Sequence, residues 1–389
     1  LVLASVAAPA SFADELVDGL PSARLQCEAW ARQDECNSNI TFMRSKCRQA
    51  CATAERRQRV LLWQAPGLDF MYAPVSNTLI AGLDQPSGRR VVHDCSSRRE
   101  CGRPHVLEQM VSQLRSGDVF VWIGPSGAPE QPWTELRERG ILTVWYNTEP
   151  NARGENAAWH QGLNLTSLGF SRRTQVDCLA QPISRKLSAV RYVPPGYVPP
   201  SRAEDQKHAV PHGPGTPPVR LLFVGYPWFQ SGRGVCYAFL QRALGDLLNA
   251  SWDLNHANAW ETWWSDVGQH SIHLHLPKWC DVKVAGSGEP PSFRFSQLLS
   301  HGATLVSTHC YGKDEDEYEG LVHFSHLSAI PTVFRNVSEQ REPTEVVAAR
   351  FRARFRPERL FMRAGIYQSL ASAQRRAATN GTALRGLQS

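Results

Sequence analysis

The chain has 389 residues, with 42 Lys and Arg against 36 Asp and Glu, and a net charge of +6. That length leaves room for two domains of ordinary size beside a small module. The basic residues, mostly Arg, are scattered rather than striped along one face, which argues against a nucleic-acid partner, and no later stretch approaches the ~18 apolar residues of a membrane span.

The chain opens LVLASVAAPASFADE, apolar and Ala-rich. Ser11 and Ala13 place small residues where signal peptidase prefers them, so residues 1–13 are expected to be a signal peptide remnant. The alternative is a truncated membrane anchor, and a membrane partner is expected only in that case. N-x-S/T sequons occur at Asn39, Asn164, Asn249, Asn336 and Asn380, each a candidate glycosylation acceptor in the secretory pathway.

Cys27, Cys36, Cys47 and Cys51 crowd into a stretch too small to bury a useful core. Disulfides are the expected staple, which implies an oxidising compartment, and four cysteines allow three connectivities. The residues between them, Cys27, Trp30-Ala31, Glu35-Cys36, Asn39, Phe42-Met43, Cys47 and Ala50-Cys51, resemble the ShK-toxin-like (ShKT) domain over residues 22–54. That family carries six cysteines, and both partners of its first-to-last bridge are missing here. The resemblance implies Cys27–Cys47 and Cys36–Cys51. The module reads as an interaction or spacing unit.

From Arg59 the pattern alternates between strand and helix. Val60–Trp63 is a short apolar strand, 105–114 a helix by its apolar spacing, Val119–Gly124 a continuous apolar strand and Ile141–Trp145 another. A helix opened by Pro132 lies between the last two. Strands apolar on both faces and separated by helices predict a parallel sheet over residues 57–198. The strand before Tyr146-Asn147-Thr148-Glu149-Pro150 places Asn147 and Glu149 toward a crevice beyond the strand ends. Glu149 is there either a functional carboxylate or the cap of its own loop. Cys95 and Cys101 can pair; with Cys178, Cys236, Cys280 and Cys310, their partners stay open.

Residues 199–218, PPSRAEDQKHAVPHGPGTPP, read as a linker. A second α/β unit, 219–338, restarts with the strand Val219–Gly225, a loop carrying Arg233 and a helix, an arrangement that offers backbone N–H groups to a phosphate. Trp252, Trp260, Trp263 and Trp264 suit helix packing or a sugar platform. Ser271–Leu276 alternates with period two, so it predicts a half-buried strand with His273 and His275 on one face. That pair suits either the polar lining of a cleft or a metal. A helix over Phe293–Leu299, a strand over Ala303–Thr308, an acidic loop over Lys313–Glu317 and a short strand over Leu321–Phe324 follow. The tail, 339–389, is helical from Thr344, packed across the domains or lying on a membrane, and its last twenty residues read as disordered.

The run SIHLHLPKWC…SFRFSQLLSHGATLVSTHC…DEDEYEGLVHF, with YNTEP and VRYVPPGY in the first half, resembles GT-B glycosyltransferases of the CgeB-like (spore-coat-type) group. The resemblance implies an α/β fold of two Rossmann-like parallel-sheet domains and sugar transfer from a nucleotide sugar to a glycan or protein acceptor. The setting is the secretory pathway or the cell exterior, and no metal cofactor is required. Arg233 and Arg294 would meet the diphosphate, Gly225, His273 and His275 would line the cleft, and Asp314 or Asp316 would hold donor hydroxyls. Glu149 would be the general base. The segment Glu289-Pro290-Pro291-Ser292-Phe293 departs from the family pattern. It supports the alternative, a non-catalytic secreted binding protein on a decayed GT-B shell. The acidic run also admits the metal-dependent GT-A class.

Overall fold

The computed structural model describes residues 25–27, 30, 40–50, 58–64, 69–83, 90–94, 104–124, 135–148, 166–169, 189–197, 219–224, 232–251, 271–277, 280 and 292–386. Two parallel sheets organise them. The first takes β1 (Arg59–Gln64), β2 (Arg90–Asp94), β3 (Val119–Gly124), β4 (Leu142–Asn147), β5 (Thr166–Gly169) and β6 (Ala189–Tyr192), in the order β2-β1-β3-β4-β5-β6. The helices α2 (Asp69–Leu83) and α3 (Pro104–Gln113) fall between its strands, after α1 (Ile40–Lys46) of the N-terminal module. The second sheet takes β7 (Arg220–Val224), β8 (Leu248–Ser251), β9 (Ser271–His275), β10 (Leu305–Thr308) and β11 (Val322–Ser325), in the order β11-β10-β9-β7-β8. Around it lie α4 (Gly232–Leu244), α5 (Ser292–Ser300), α6 (Gly312–Glu317) and α7 (Ile330–Glu339). The tail supplies α8 (Thr344–Phe355), α9 (Pro357–Arg363) and α10 (Ile366–Gly386).

Alternation along each strand sorts side chains to two covered faces, which is why these strands are apolar throughout. Leu61, Trp63, Phe120, Trp122 and Trp145 face α3, where Leu107 and Val111 meet them. Val60, Leu62, Val121, Ile123 and Tyr146 face the other way, into a core that also holds Leu79 of α2, Phe295 of α5 and Phe351 of α8. In the second sheet Phe223, Ile272, Leu274 and Val306 pack against α4 and α7, while Leu222 and Leu305 join the shared core. One apolar core therefore runs between the two sheets. Phe351, Phe355 and Phe361 are fully buried in it, each worth roughly 2–3 kcal/mol of transfer free energy.

The tail crosses from one half to the other. α8 packs on α5, and Arg354 on α8 donates to the carbonyls of Glu317 and Glu319 at 3.1 and 2.7 Å. α9 packs on α2. Tyr367 of α10 donates to Gly82 O at 2.8 Å, and Gln58 donates to Leu370 O at 3.2 Å. Two Rossmann-like parallel sheets spanned by returning C-terminal helices give the GT-B-like α/β architecture expected from the sequence.

Three expectations change. β9 is buried along its whole length rather than half-buried, because α5 covers the histidine face. Residues 312–317 form the helix α6 rather than a loop; acidic residues in a first helical turn are favourably placed against the helix dipole. The last twenty residues are not all disordered: α10 is helical to Gly386, with Leu370 and Ala373 buried. The linker 199–218 and the Trp-rich stretch lie outside the described residues. Among the described residues no helix is long and apolar enough to cross a membrane.

Candidate functional site

In both sheets the strand order reverses direction beside the first strand, between β1 and β3 and between β7 and β9. Parallel α/β sheets bind ligands beyond the carboxyl ends of their strands at such a point. In the second sheet this places a crevice above the ends of β7 and β9, at the start of α4.

Arg233 sits in the first turn of α4. Its Nε donates to Leu276 O at 3.0 Å, just past β9, and its guanidinium lies 5.9 Å from the Phe223 ring centroid. The disulfide Cys236–Cys280 ties α4 to the segment after β9 across a separation of 44 residues and is worth about 4 kcal/mol in the chain-entropy model. Gly232 is required by a close approach: a Cβ there would stand 2.0 Å from Cys280 O.

Arg294 reaches the same end of the sheet from the first turn of α5. The residue is half-buried by area, yet burial of its head group, then the charge on Arg233, lowers its pKa to about 10. Burial also lowers the Arg233 pKa. Two guanidiniums thus share a poorly hydrated space. Among the described residues neither has a carboxylate partner at ion-pair distance. Such an arrangement is costly when empty and favourable when an anion fills it.

His275, the last residue of β9, is 4 % exposed and packs edge-on against Phe295 with ring centroids 5.8 Å apart. Both ring nitrogens are buried without a hydrogen bond among the described residues. Ser292 Oγ at the start of α5 and Thr308 Oγ1 at the end of β10 are in the same condition. Unsatisfied buried polar atoms normally mark a missing ligand or water, and these gather at one end of the sheet. His273, two residues earlier, is buried alongside Leu305 of β10.

The other candidates fall as follows. Asp314 is fully buried in the first turn of α6, whereas Asp316 is exposed. Asn147 ends β4 and is fully buried, beside Tyr146, whose hydroxyl donates to Val193 O at 2.6 Å. Gly225, Glu149 and Glu289 lie outside the described residues, as do Cys36–Cys51, Cys95, Cys101, Cys178, Asn39 and Asn164. The described residues include Cys27–Cys47, as the ShKT resemblance implied, and Cys310 is a buried free thiol. Asn249 is half-buried in the edge strand β8, Asn336 is exposed on α7, and Asn380 is in α10. No group of three or more metal-ligating side chains occurs among the described residues. Sequence reading missed Ser292 and Thr308 and left the partners of Cys236 and Cys280 open, which the structure joins to each other.

The buried state of His275 has a pH consequence. Burial, then Arg294 and Arg233, hold its pKa well below the usual 6.5. As pH falls through 6.5, unfolded chains accept a proton that the folded state refuses. Stability is therefore full above that value and declines below it, by up to about 1.4 kcal/mol per pH unit from this group. Urea melts of the ligand-free protein at about pH 7.5 and about pH 5 should show the loss, and His275→Gln should flatten it. An unchanged slope in the variant would place the acid sensitivity elsewhere.

Residues 21–53 match the ShK domain-like family. The N-terminal module is an ShK-like module. No curated protein matches the chain. Among solved structures, Anabaena HepE in complex with UDP is similar at 9% identity and a TM-score of 0.45, covering 81% of this chain and 100% of that one. The same protein with UDP-glucose aligns at 9% identity and TM-score 0.40, over 84% and 99%. A trehalose-6-phosphate synthase structure aligns at 12% identity and TM-score 0.34, over 83% and 92%.

Proposed function

We propose that the chain is a glycosyltransferase that binds a nucleotide-sugar donor at the carboxyl ends of β7 and β9 and transfers the sugar to a glycan or glycoprotein acceptor. One observation carries this reading: Arg233 and Arg294 hold two positive charges disfavoured by burial, without a carboxylate partner among the described residues, at the switch point, in the first turns of α4 and α5. A diphosphate supplies the missing negative charge, and guanidiniums bind it with forked, charge-assisted hydrogen bonds. Helix N-termini add to the same field. The motif resemblance of the 271–324 run to the CgeB-like group supports a sugar-bearing diphosphate over a simple one.

In this reading no metal is needed, because the two guanidiniums take the charge a cation would neutralise. His275, Ser292 and Thr308 provide hydrogen bonds to the donor, with His273 and Gly225 lining the cleft. Asp314 is the better placed of the two acidic candidates for sugar hydroxyls, since Asp316 is exposed. Glu149 follows β4 by two residues and serves as the general base for the acceptor hydroxyl. The disulfides Cys27–Cys47 and Cys236–Cys280 support a secretory lumen or the cell exterior as its place of work.

Isothermal titration of the full chain with UDP- and GDP-sugars in EDTA tests the reading. Binding without metal is expected, together with a drop in transfer of about 10²–10⁴-fold for Glu149→Ala. Binding that requires Mn²⁺ favours a metal-dependent site, and no binding at all favours a non-catalytic shell. Full transfer by Glu149→Ala removes that residue from the mechanism.

A further inference from the structure

A second concavity lies at the opposite end of the second sheet. It has a volume of about 450 Å³ and sits at the amino ends of β10 and β11, between α7 and α8. Its floor is apolar, with Leu321, Val322, Val337 and Val347 all buried. Its rim is polar: Arg350 forks onto Glu342 at 2.7 and 2.9 Å, and His323 and Gln340 stand nearby. A pyranose ring has this same duality, a C–H face and a belt of hydroxyls. Asn336 is itself part of the lining, is exposed on α7, and begins the sequon Asn336-Val337-Ser338.

We infer that Asn336 carries an N-linked glycan whose first sugars lie in this cleft and cover its apolar floor. The inference rests on the secretory setting and not on the nucleotide-sugar reading. In the modification step, Asn336 Nδ2 bonds to the anomeric carbon of an oligosaccharide carried on a lipid diphosphate. The bond from that carbon to the diphosphate oxygen breaks, the diphosphate leaves with the electron pair, and the amide proton passes to a base of the transferring enzyme. Tethering removes most of the cost of docking the sugars, because attachment gives them a high effective concentration at the cleft. The two described disulfides show a chain suited to the compartment where such transfer occurs. Asn249, half-buried in β8, has no comparable exposure.

The full chain expressed in a eukaryotic secretory host tests this. Peptide mass spectrometry is expected to find Asn336 occupied. An endoglycosidase is expected to release that glycan at least about ten-fold more slowly from the native than from the denatured protein. Asn336→Gln and Ser338→Ala are each expected to lower the melting temperature by about 3 °C, while Ser338→Thr keeps both glycan and stability. Val333→Arg, which crowds the cleft and leaves the sequon intact, is expected to keep the glycan and lose its protection. An unmodified Asn336 overturns the inference, as does a glycan released equally fast from native protein or lost with no change in melting temperature.

Discussion

Replacing Arg294 with alanine is expected to weaken donor binding by about 100-fold or more while leaving the ligand-free protein at least as stable as before. The two effects separate because the guanidinium is poorly hydrated and faces a like charge on Arg233. Removing it relieves both penalties in the free protein. With a diphosphate bound, the same change deletes charge-assisted hydrogen bonds worth about 1.5–3 kcal/mol each, and two of them amount to at least two decades in affinity. Arg294→Lys is expected to recover about one decade, since it restores the charge but not the fork. Titration calorimetry paired with thermal melts reads both quantities. Unchanged affinity in Arg294→Ala would remove this residue from the donor site. A large loss of stability would make it a structural arginine.

The second large effect is expected at Gly196, a few residues past β6. Its N–H donates to Thr78 Oγ1 of α2 at 2.7 Å, and its carbonyl accepts from Ser296 Oγ of α5 at 2.5 Å. The next residue, Tyr197, donates its N–H to Phe355 O at the end of α8 at 2.8 Å. Three helices from three parts of the chain therefore meet one backbone segment. A Cβ at Gly196 would lie 2.6 Å from Phe355 O and 3.0 Å from Leu360 Cδ1. The nearer atom is main chain and cannot swing away. Gly196→Ala should cost about 3 kcal/mol and expose the junction between α2 and α5 to limited proteolysis. Stability within about 0.5 kcal/mol of the parent, with no new cleavage, would mean that the junction adjusts at little cost.

Much of this architecture is legible in the residues. Val119–Gly124 and Leu142–Asn147 are apolar on both faces because both faces are covered, and a parallel sheet follows from that pattern. The edge strands β2 and β8 escape notice. Arg90–Asp94 and Leu248–Ser251 are short and polar, and only their ladder partners in β1 and β7 make them strands. The alternation in Ser271–His275 is real, but alternation reports side-chain chemistry and not which face is covered. The cleft shows the same division. Arg233, His275 and Arg294 announce themselves by charge. Ser292 and Thr308 are single hydroxyls in ordinary sequence, and only the fold gathers them. The terminal helix is hidden by its polar composition: Arg375 and Arg376 are exposed while Leu370 anchors the inner side.

The bond from Gln58 to Leu370 joins positions 312 apart in the chain. Gln58 also donates to Gly117 O at 2.6 Å, so the same side chain ties the start of β1 to the turn before β3. During synthesis the first sheet leaves the ribosome long before α9 and α10 exist. Its helix α2 must wait, uncovered at Gly82, for Phe361 and Tyr367 to arrive. Contacts this distant in sequence are reached slowly, since the loop they close costs entropy before it returns any packing. The nascent protein thus passes through a stage in which both halves are formed and the strap between them is absent. Shortening the C-terminus would hold the molecule at that stage.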